Sequence, residues 1–223
     1  MISQTRCGHR HDSMSPKPGK DLKPLETRLR AAPPLNASSW DRIRGDLAAR
    51  ATAEHLIDVA FERHDSPLGP ILLGATPAGL VRLGLPAEGE DAVLDELAHR
   101  ISARVLCASR TVTTQARHQL DEYFTGRRQH FDLPLDWQLT KGFRRDVLHA
   151  TARIPYGRTA SYREMATAAG SPAAVRAAGT ALATNPLPII VPCHRVVPAN
   201  GGVGSYRGGA AAKVQLLDLE KIS

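Results

Sequence analysis

The chain has 223 residues, which is long enough for two small domains or one larger one, and its composition is that of an ordinary folded protein with few aromatic residues. Its formal net charge is +7, and no apolar run approaches the roughly 20 residues that a membrane-spanning helix requires. The N-terminal segment lacks the apolar core of a signal peptide, so we expect a cytoplasmic protein.

Residues 1 to about 34 are polar, basic and rich in Pro and Ser, which is typical of a disordered segment. Cys7, His9 and His11 suggest a metal site, but no fourth ligand follows at the spacing of a zinc site, so we predict no bound metal. The segment SSWDRIRGDLAARATAEH predicts a helix with Ser39 as its N-cap. Residues 1–54 are therefore predicted to be a basic, partly disordered extension with a short helix.

Residues 55–140 are predicted to form a small α+β domain. Short apolar runs separated by turns at DSPLGP and TPAG indicate a meander of about three antiparallel strands. Two helices follow, over DAVLDELAHRIS and over TTQARHQLDEYFTG, and Gly126 is expected to end the second of them. The segment RRQHFDLPLDW is expected to be extended. No chemical site is apparent in this domain.

Residues 141–223 are predicted to be mostly helical. Helices are expected over GFRRDVLHATARI, over SYREMATAAG with Ser161 and Glu164 as a capping box, and over SPAAVRAAGTALATN with Ser171 as N-cap and Pro172 at the first helical position. The second and third form a helix-turn-helix, and AAAKVQLLDLEKI forms a final helix. This part carries eleven Lys and Arg against four Asp and Glu, the charge balance of a nucleic-acid-binding face.

The third helix carries small residues and a single charged one, Arg176, whereas helices that recognise base edges carry several long polar side chains. Such a helix allows close approach of the backbone, and a lone arginine can enter a base stack. An alanine-rich helix buried against its neighbours, with Arg176 solvated at its edge, is the alternative.

Cys193 lies in NPLPIIVPCHRVV, between prolines and directly before His194. It is either a buried structural thiol or a nucleophile that needs a base or a positive field to ionise. Adjacent residues on an extended segment point in opposite directions, so His194 would reach the sulfur through a water molecule, with Glu220 orienting the imidazole. A Cys-His hydrolase would need direct contact between the imidazole and the sulfur, which this order of residues disfavours.

The segments NPLPIIV, PCHRVV and SYRGG, followed by a lysine and a Leu-Glu pair, resemble the active-site pattern of the methylated-DNA–protein-cysteine methyltransferases, which repair 6-O-methylguanine. The resemblance is close over residues 141–223 and extends over 55–140 in length and element order. It implies an α+β fold with a ribonuclease H-like first domain and a winged-helix-like, helix-turn-helix second domain.

The resemblance also implies roles for individual residues. Cys193 accepts the methyl group, His194 helps to withdraw its proton, Glu220 anchors the imidazole, and Asn185 lies at a hinge. The residues implied to contact DNA or the flipped base are Tyr162, Arg176, Ala177, Gly179, Pro188, Arg195, Tyr206, Arg207, Gly208 and Lys213. Basic residues around 141–163, including Arg144, Arg145, Arg158 and Arg163, are expected to bind phosphates without reading sequence.

The implied reaction transfers the methyl group of 6-O-methylguanine, and also of 4-O-methylthymine, irreversibly to the protein, so that each molecule acts once. We expect no cofactor, a monomer, and binding of double-stranded DNA through its minor groove without sequence specificity. A noncatalytic lesion sensor or a plain winged-helix DNA-binding protein, in which Cys193 never reacts, is the competing hypothesis.

Overall fold

The computed structural model describes residues 36–54, 56–199 and 202–221. The predicted disordered segment, with Cys7, His9 and His11, lies outside these residues. The chain divides into two compact units, Met1–Ile43 and Arg44–Ser223, and the sheet, helices α2 to α7 and the functional site belong to the second. Helix α1 spans Ala37–Ala53. The prediction of Ser39 as its N-cap is wrong, because the side-chain oxygen of Asn36 accepts the backbone N–H of Ser39 at 2.9 Å.

The predicted meander is present as three antiparallel strands, β1 (Val59–His64), β2 (Ile71–Thr76) and β3 (Gly79–Gly84). A fourth strand, β4 (Val105–Cys107), pairs in parallel with β1 and completes the order β3-β2-β1-β4. The sequence did not predict β4, because three residues are too few to show an alternating pattern. Strands β2 and β3 are buried along their whole length, so this part of the sheet is covered on both faces.

The helices of the second unit follow the predicted order: α2 (Glu90–Arg100), α3 (Thr111–Phe124), α4 (Gly142–Thr151), α5 (Tyr162–Ala168), α6 (Val175–Ala183) and α7 (Gly209–Leu219). Gly126, with φ of 74°, follows the end of α3 as expected. The capping box of α5 is confirmed, since Ser161 and Glu164 exchange hydrogen bonds of 2.6 and 3.2 Å. Helix α6 begins three residues later than predicted, because the backbone N–H of Ala174 closes a turn on the carbonyl of Ser171.

A short parallel pairing connects the helix-turn-helix to the cysteine segment. Strand β5 (Ala160–Ser161) immediately precedes α5 and pairs with β6 (Val196–Val197), which follows the turn that contains Cys193. The entrance to α5 and the Cys-His-Arg turn are therefore fixed to each other through backbone hydrogen bonds.

One buried apolar cluster contains residues from both predicted domains, among them Leu73 of β2, Tyr123 of α3, Leu148 of α4 and Leu216 of α7. Full burial of such a side chain stabilises the fold by about 1.5–3 kcal/mol. Because the cluster is continuous, the sheet and its helices form part of the packing that supports the segment around Cys193. None of the helices in the described parts of the chain is long and apolar enough to cross a membrane.

Candidate active site

The sulfur of Cys193 lies at the start of a 3-10 turn, Cys193–Arg195, and the residue is 5% exposed. The side-chain amide of Asn185 donates a hydrogen bond to the sulfur at 3.2 Å. Burial raises the pKa of the Cys193 thiol to about 11, although the Asn185 hydrogen bond and the positive charge of Lys213 oppose the shift. The cysteine is therefore a thiol in the resting protein, and a base is needed to make it nucleophilic.

Asn185 organises the chain between itself and the cysteine. Its side-chain amide also donates to the carbonyl of Val191 at 2.8 Å, and its side-chain oxygen accepts the N–H of Leu187 at 3.0 Å. Asn185 is completely buried, at the C-terminal end of α6. The residue, which was predicted to lie at a hinge, thus connects the second helix of the helix-turn-helix to the sulfur.

The segment before the cysteine contains two very tight turns. The N–H of Ile190 donates to the carbonyl of Pro188 at 2.9 Å, and the N–H of Cys193 donates to the carbonyl of Val191 at 2.7 Å. Ile189, between the first pair, has a φ of 72°. A β-branched residue in this region is strained by about 1–3 kcal/mol, and such strain persists where the surroundings enforce one conformation. Pro188, which was predicted to form part of the pocket wall, is buried here.

His194 has a fully buried imidazole whose Nε2 lies 2.9 Å from Oε1 of Glu220. Burial opposes the charge on Glu220, but hydrogen bonds from His194 and Arg195 outweigh it and lower the pKa of the carboxyl to about 2. Burial also lowers the pKa of His194, so the imidazole is neutral. A neutral ring that donates from Nε2 to a carboxylate has its lone pair on Nδ1, and Nδ1 has no hydrogen-bond partner among the described residues.

The sequence placed Arg195 among the residues that contact DNA, and the structure does not agree. Arg195 is 4% exposed, and its guanidinium donates to both oxygens of Glu220 at 2.8 and 2.9 Å and to the carbonyl of Ile154 at 2.6 Å. All three of its nitrogens are thereby used inside the protein. Arg195 is a buried counterion that keeps Glu220 ionised.

Tyr123 is a residue of the site that the sequence analysis missed. Its hydroxyl donates to Oε1 of Glu220 at 2.6 Å and lies 3.5 Å from Nε2 of His194, although the residue belongs to α3, in the predicted domain of residues 55–140. The only signal was a tyrosine on the apolar face of an otherwise ordinary helix. Such a tyrosine needs a polar partner when buried, but the partner is 97 residues away.

The helix-turn-helix exposes two of its residues that were predicted to meet DNA. Arg176 and Ala177 are exposed near the start of α6. Gly179 lies beside the half-buried Tyr162 of α5, since a Cβ atom added to Gly179 would lie 3.7 Å from the tyrosine ring. Arg145, Arg158 and Arg163 are also exposed. Arg144 differs from the prediction: it is partly buried and donates to the carbonyl of Thr184 at 2.7 Å.

Tyr206, Arg207 and Gly208 form a turn on the other side of the cysteine. The ring of Tyr206 lies edge-on to the imidazole of His194, with centroids 6.3 Å apart. Its hydroxyl is buried and has no partner among the described residues, which leaves a polar group available to a bound base. Arg207 turns inward and forms ion pairs with Glu88 and Glu96.

Lys213 was predicted to contact the base or DNA, and this is a second correction. The residue is completely buried in α7, and its ammonium donates to the carbonyl of Val196 at 2.6 Å. Burial lowers the pKa of Lys213, and its charge acts on Cys193. Its position therefore suits it to fix strand β6 and to favour the thiolate, and not to bind a phosphate.

Among the described residues, no group of three or more His, Cys, Asp or Glu side chains could hold a metal ion. The chemistry that the site offers is that of a buried thiol, a neutral imidazole and an ionised carboxylate, beneath a helix-turn-helix with an exposed arginine. The arrangement supplies a base, Nδ1 of His194, on the residue next to the thiol, and the pairing of β5 with β6 ties the turn that contains this thiol to the helix-turn-helix.

Comparisons with known proteins agree with this arrangement. Residues 142–222 match the family described as "6-O-methylguanine DNA methyltransferase, DNA binding domain", and residues 55–137 match its "ribonuclease-like domain". The methylated-DNA–protein-cysteine methyltransferase of Mycobacterium leprae is 39% identical over 157 residues, which cover 70% of this chain and 89% of that protein. The constitutive enzyme of that name from Bacillus subtilis is 48% identical over 110 residues, 49% of this chain and 66% of the relative.

Solved structures show the same similarity. The crystal structure of Mycobacterium tuberculosis OGT in complex with DNA has a TM-score of 0.61 and 36% identity, and the match covers 73% of this chain and 92% of that one. The predicted α+β fold, with a ribonuclease-like part followed by a DNA-binding part, is confirmed.

Proposed function

The chain belongs to the 6-O-methylguanine DNA methyltransferases, a family of direct-reversal DNA repair proteins, and we propose that Cys193 is the acceptor to which it transfers the alkyl group. The main support for the proposal is the series of hydrogen bonds that links His194, next to Cys193, to Glu220, Arg195 and Tyr123. His194 follows Cys193 directly, and its Nε2 bonds to a carboxylate that Arg195 and Tyr123 keep ionised and in place.

The proposed reaction begins with removal of the thiol proton. Nδ1 of the neutral His194 accepts this proton through a bridging water molecule, and Glu220 stabilises the imidazolium that forms. The thiolate attacks the methyl carbon, a carbon–sulfur bond forms, and the bond between that carbon and O6 of the guanine breaks. The departing guanine takes up one proton, so the net products are a thioether on Cys193 and an unmodified base. Both reacting groups are organic, and we propose that no metal or cofactor takes part.

The modified base must leave the duplex before the sulfur can reach it. Arg176 is exposed on a helix of small residues, and we propose that it fills the gap in the base stack while Tyr162 contacts the backbone or the extruded guanine. Unstacking costs a few kcal/mol, and less for a damaged base that pairs poorly. Ala177 and Gly179 allow the backbone of α6 to approach the minor groove closely.

We propose that residues 55–140 and 141–223 act as a supporting domain and a DNA-binding, catalytic domain, and that residues 1–54 are a basic extension. Phosphate contacts from exposed arginines, among them Arg145, Arg158 and Arg163, bind double-stranded DNA without sequence specificity. The protein is proposed to act as a cytoplasmic monomer.

Intact-mass measurement after incubation with an oligonucleotide duplex containing 6-O-methylguanine tests the proposal. We expect the protein to gain the mass of one methyl group, located on Cys193, and the reaction to stop at one transfer per molecule. Cys193→Ala should still bind the lesion but gain no mass. Continued turnover, or methylation at another residue, would refute the assignment. A benzylguanine probe that fails to label the unmodified protein would instead support the noncatalytic lesion sensor.

A further inference from the structure

The turn formed by Tyr206, Arg207 and Gly208 is held to the first half of the chain at two points. A Cβ atom added to Gly208 would lie 2.9 Å from the side chain of Leu85, so only a glycine allows this approach without displacement. Nε of Arg207 donates to Glu88, and its Nη2 lies 3.4 Å from Glu96. This turn, called here the Tyr206 turn, is packed on residues that follow strand β3 and on helix α2.

The acidic partners of Arg207 are themselves fixed. Arg82 of β3 is completely buried, and its guanidinium forms ion pairs with Glu88 and, at 3.1 Å, with Glu96. Glu88 also accepts the backbone N–H of Leu85 at 2.9 Å. Arg100 also pairs with Glu96, at 2.7 Å. Three arginines and two carboxylates thus form one network in which each charge has an opposite neighbour, and its partial burial limits screening by salt.

The same network reaches the other side of the cysteine. The N–H of Leu83 bonds to the carbonyl of Pro186 at 2.8 Å, and Nη1 of Arg82 lies 3.4 Å from the same oxygen. Nη1 of Arg207 donates to the carbonyl of Asn185 at 3.3 Å. Arg207 therefore contacts both the acidic pair and the backbone of the residue that bonds to the sulfur of Cys193.

We propose that Arg207 is a positioning residue, which ties the Tyr206 turn and the Asn185 backbone to Glu88 and Glu96 and so fixes the two walls between which the flipped base reaches Cys193. This inference rests on the proposed function. It assigns the guanidinium of Arg207 to contacts within the protein, whereas the resemblance had placed Arg207 among the residues that contact DNA or the flipped base. The first half of the chain then sets the rate of transfer, although it holds neither the sulfur nor the helix-turn-helix.

Arg207→Ala separates a positioning role from a DNA contact. A lost phosphate contact reduces the slope of log affinity against log salt concentration by about 0.9. We expect that slope to stay unchanged in Arg207→Ala, while single-turnover transfer from free benzylguanine, which has no phosphate, falls about tenfold because the walls are less well placed. Arg207→Lys should recover part of the rate. The matched control is Arg63→Ala, which removes an exposed ion pair between β1 and Glu90 of α2, and it should leave both the salt slope and the benzylguanine rate unchanged.

Glu96→Gln tests the contact between Arg207 and the acidic pair from the carboxylate side, at a residue of α2. If Arg207 acts through the acidic pair, this change lowers the benzylguanine rate, and combining it with Arg207→Ala adds little further loss. Hydrogen exchange of residues 202–209 should become faster in both variants, a readout that needs no alkyl transfer. Unchanged exchange, additive losses or a reduced salt slope in Arg207→Ala would overturn the inference. Failure of the unmodified protein to accept an alkyl group would overturn the proposed function, while the exchange measurement still decides the position of the turn.

Discussion

The hydroxyl of Tyr123 donates a 2.6 Å hydrogen bond to Oε1 of Glu220, the same oxygen that Nε2 of His194 contacts at 2.9 Å. This bond joins α3 to the end of α7, and the phenol is completely buried. The Glu220 carboxylate is thus held partly by the ribonuclease-like part of the chain.

Tyr123→Phe removes this bond while keeping the ring. A hydrogen bond to a charged group contributes about 1.5–3 kcal/mol, so we expect a loss of stability of that order. We expect single-turnover transfer to slow about tenfold, since one positioning contact on the orienting carboxylate is lost. The rate is measured by quenching the reaction at timed intervals and determining the methylated fraction by intact-mass spectrometry. The stability is measured by urea denaturation. Phe124→Leu, on the ring packed edge-on to Tyr123, is the control that should lower stability and leave the rate unchanged.

Glu220→Gln should destabilise the protein by about 3–5 kcal/mol, because it leaves the buried guanidinium of Arg195 without its counterion. The exposed Asp218→Asn on the same helix is the matched control and should have little effect on stability. If the two variants had comparable midpoints in urea denaturation, the ion pair between Arg195 and Glu220 would not stabilise the fold as predicted. Transfer by Glu220→Gln should also be strongly reduced, since the imidazole loses the charge that stabilises its protonated form.

The pKa of Glu220 also predicts how stability depends on pH. The pKa is about 2 in the folded protein and 4.5 without the fold, so the ionised form favours folding. This contribution is complete above pH 4.5 and is lost as the pH falls towards 2. We expect Glu220→Gln to lose less stability between pH 5 and pH 2 than the unmodified protein. Parallel stability curves over that range would show that the carboxyl is not perturbed.

How much of the site followed from the sequence depends on how local each contact is. Cys193 and His194 are adjacent, and the capping box of Ser161 and Glu164 spans one turn, so short patterns were enough to identify them. The contact between Tyr123 and Glu220 joins residues that are far apart in the chain, and no local pattern indicates it. Strand β4 was missed for a related reason, since its three residues are defined by pairing with β1.

The charged residues show a different limit. The resemblance implied that Arg195, Arg207 and Lys213 contact DNA or the flipped base, and nothing in the sequence contradicted this, since charged side chains are seldom buried. In the structure Arg195 and Lys213 are buried and Arg207 is partly buried, and all three bond to carboxylates or carbonyl oxygens of the protein. Composition reports the number of charges in a segment, but only the packing decides which of them are neutralised internally. The exposed positive charge available to DNA is therefore smaller than the sequence alone suggested.

The raised pKa of Cys193 predicts the pH dependence of its reactivity. With a pKa of about 11, the fraction of thiolate rises roughly tenfold for each pH unit between 7 and 9. The rate of alkylation by iodoacetamide, measured on the Cys193 peptide by mass spectrometry, should rise accordingly and level off only near pH 11. Asn185→Ala removes the hydrogen bond that opposes the shift, so its rate at pH 8 should be lower. Cys107, an exposed thiol, is the internal control in the same digest.

Arg176 is predicted to matter only when the base must be extracted from a duplex. Its side chain is exposed at the start of α6, in a segment where Ala177 and Gly179 leave no other long side chain to fill a gap in the stack. We expect Arg176→Ala to reduce transfer from duplex DNA by about a hundredfold, because the few kcal/mol that unstacking costs are no longer offset. Transfer from free benzylguanine should be unchanged, because that base is not stacked.

Arg158→Ala is the matched control for this experiment, since it removes an exposed arginine outside the helix-turn-helix pair. Its effect on duplex repair should diminish when the DNA concentration is raised to saturation, because a phosphate contact contributes to binding. The defect of Arg176→Ala should persist at saturation, because it lies in extraction of the base after binding. An equal loss for Arg176→Ala on duplex and on free benzylguanine would place Arg176 in the folding of the site and remove its role in base flipping.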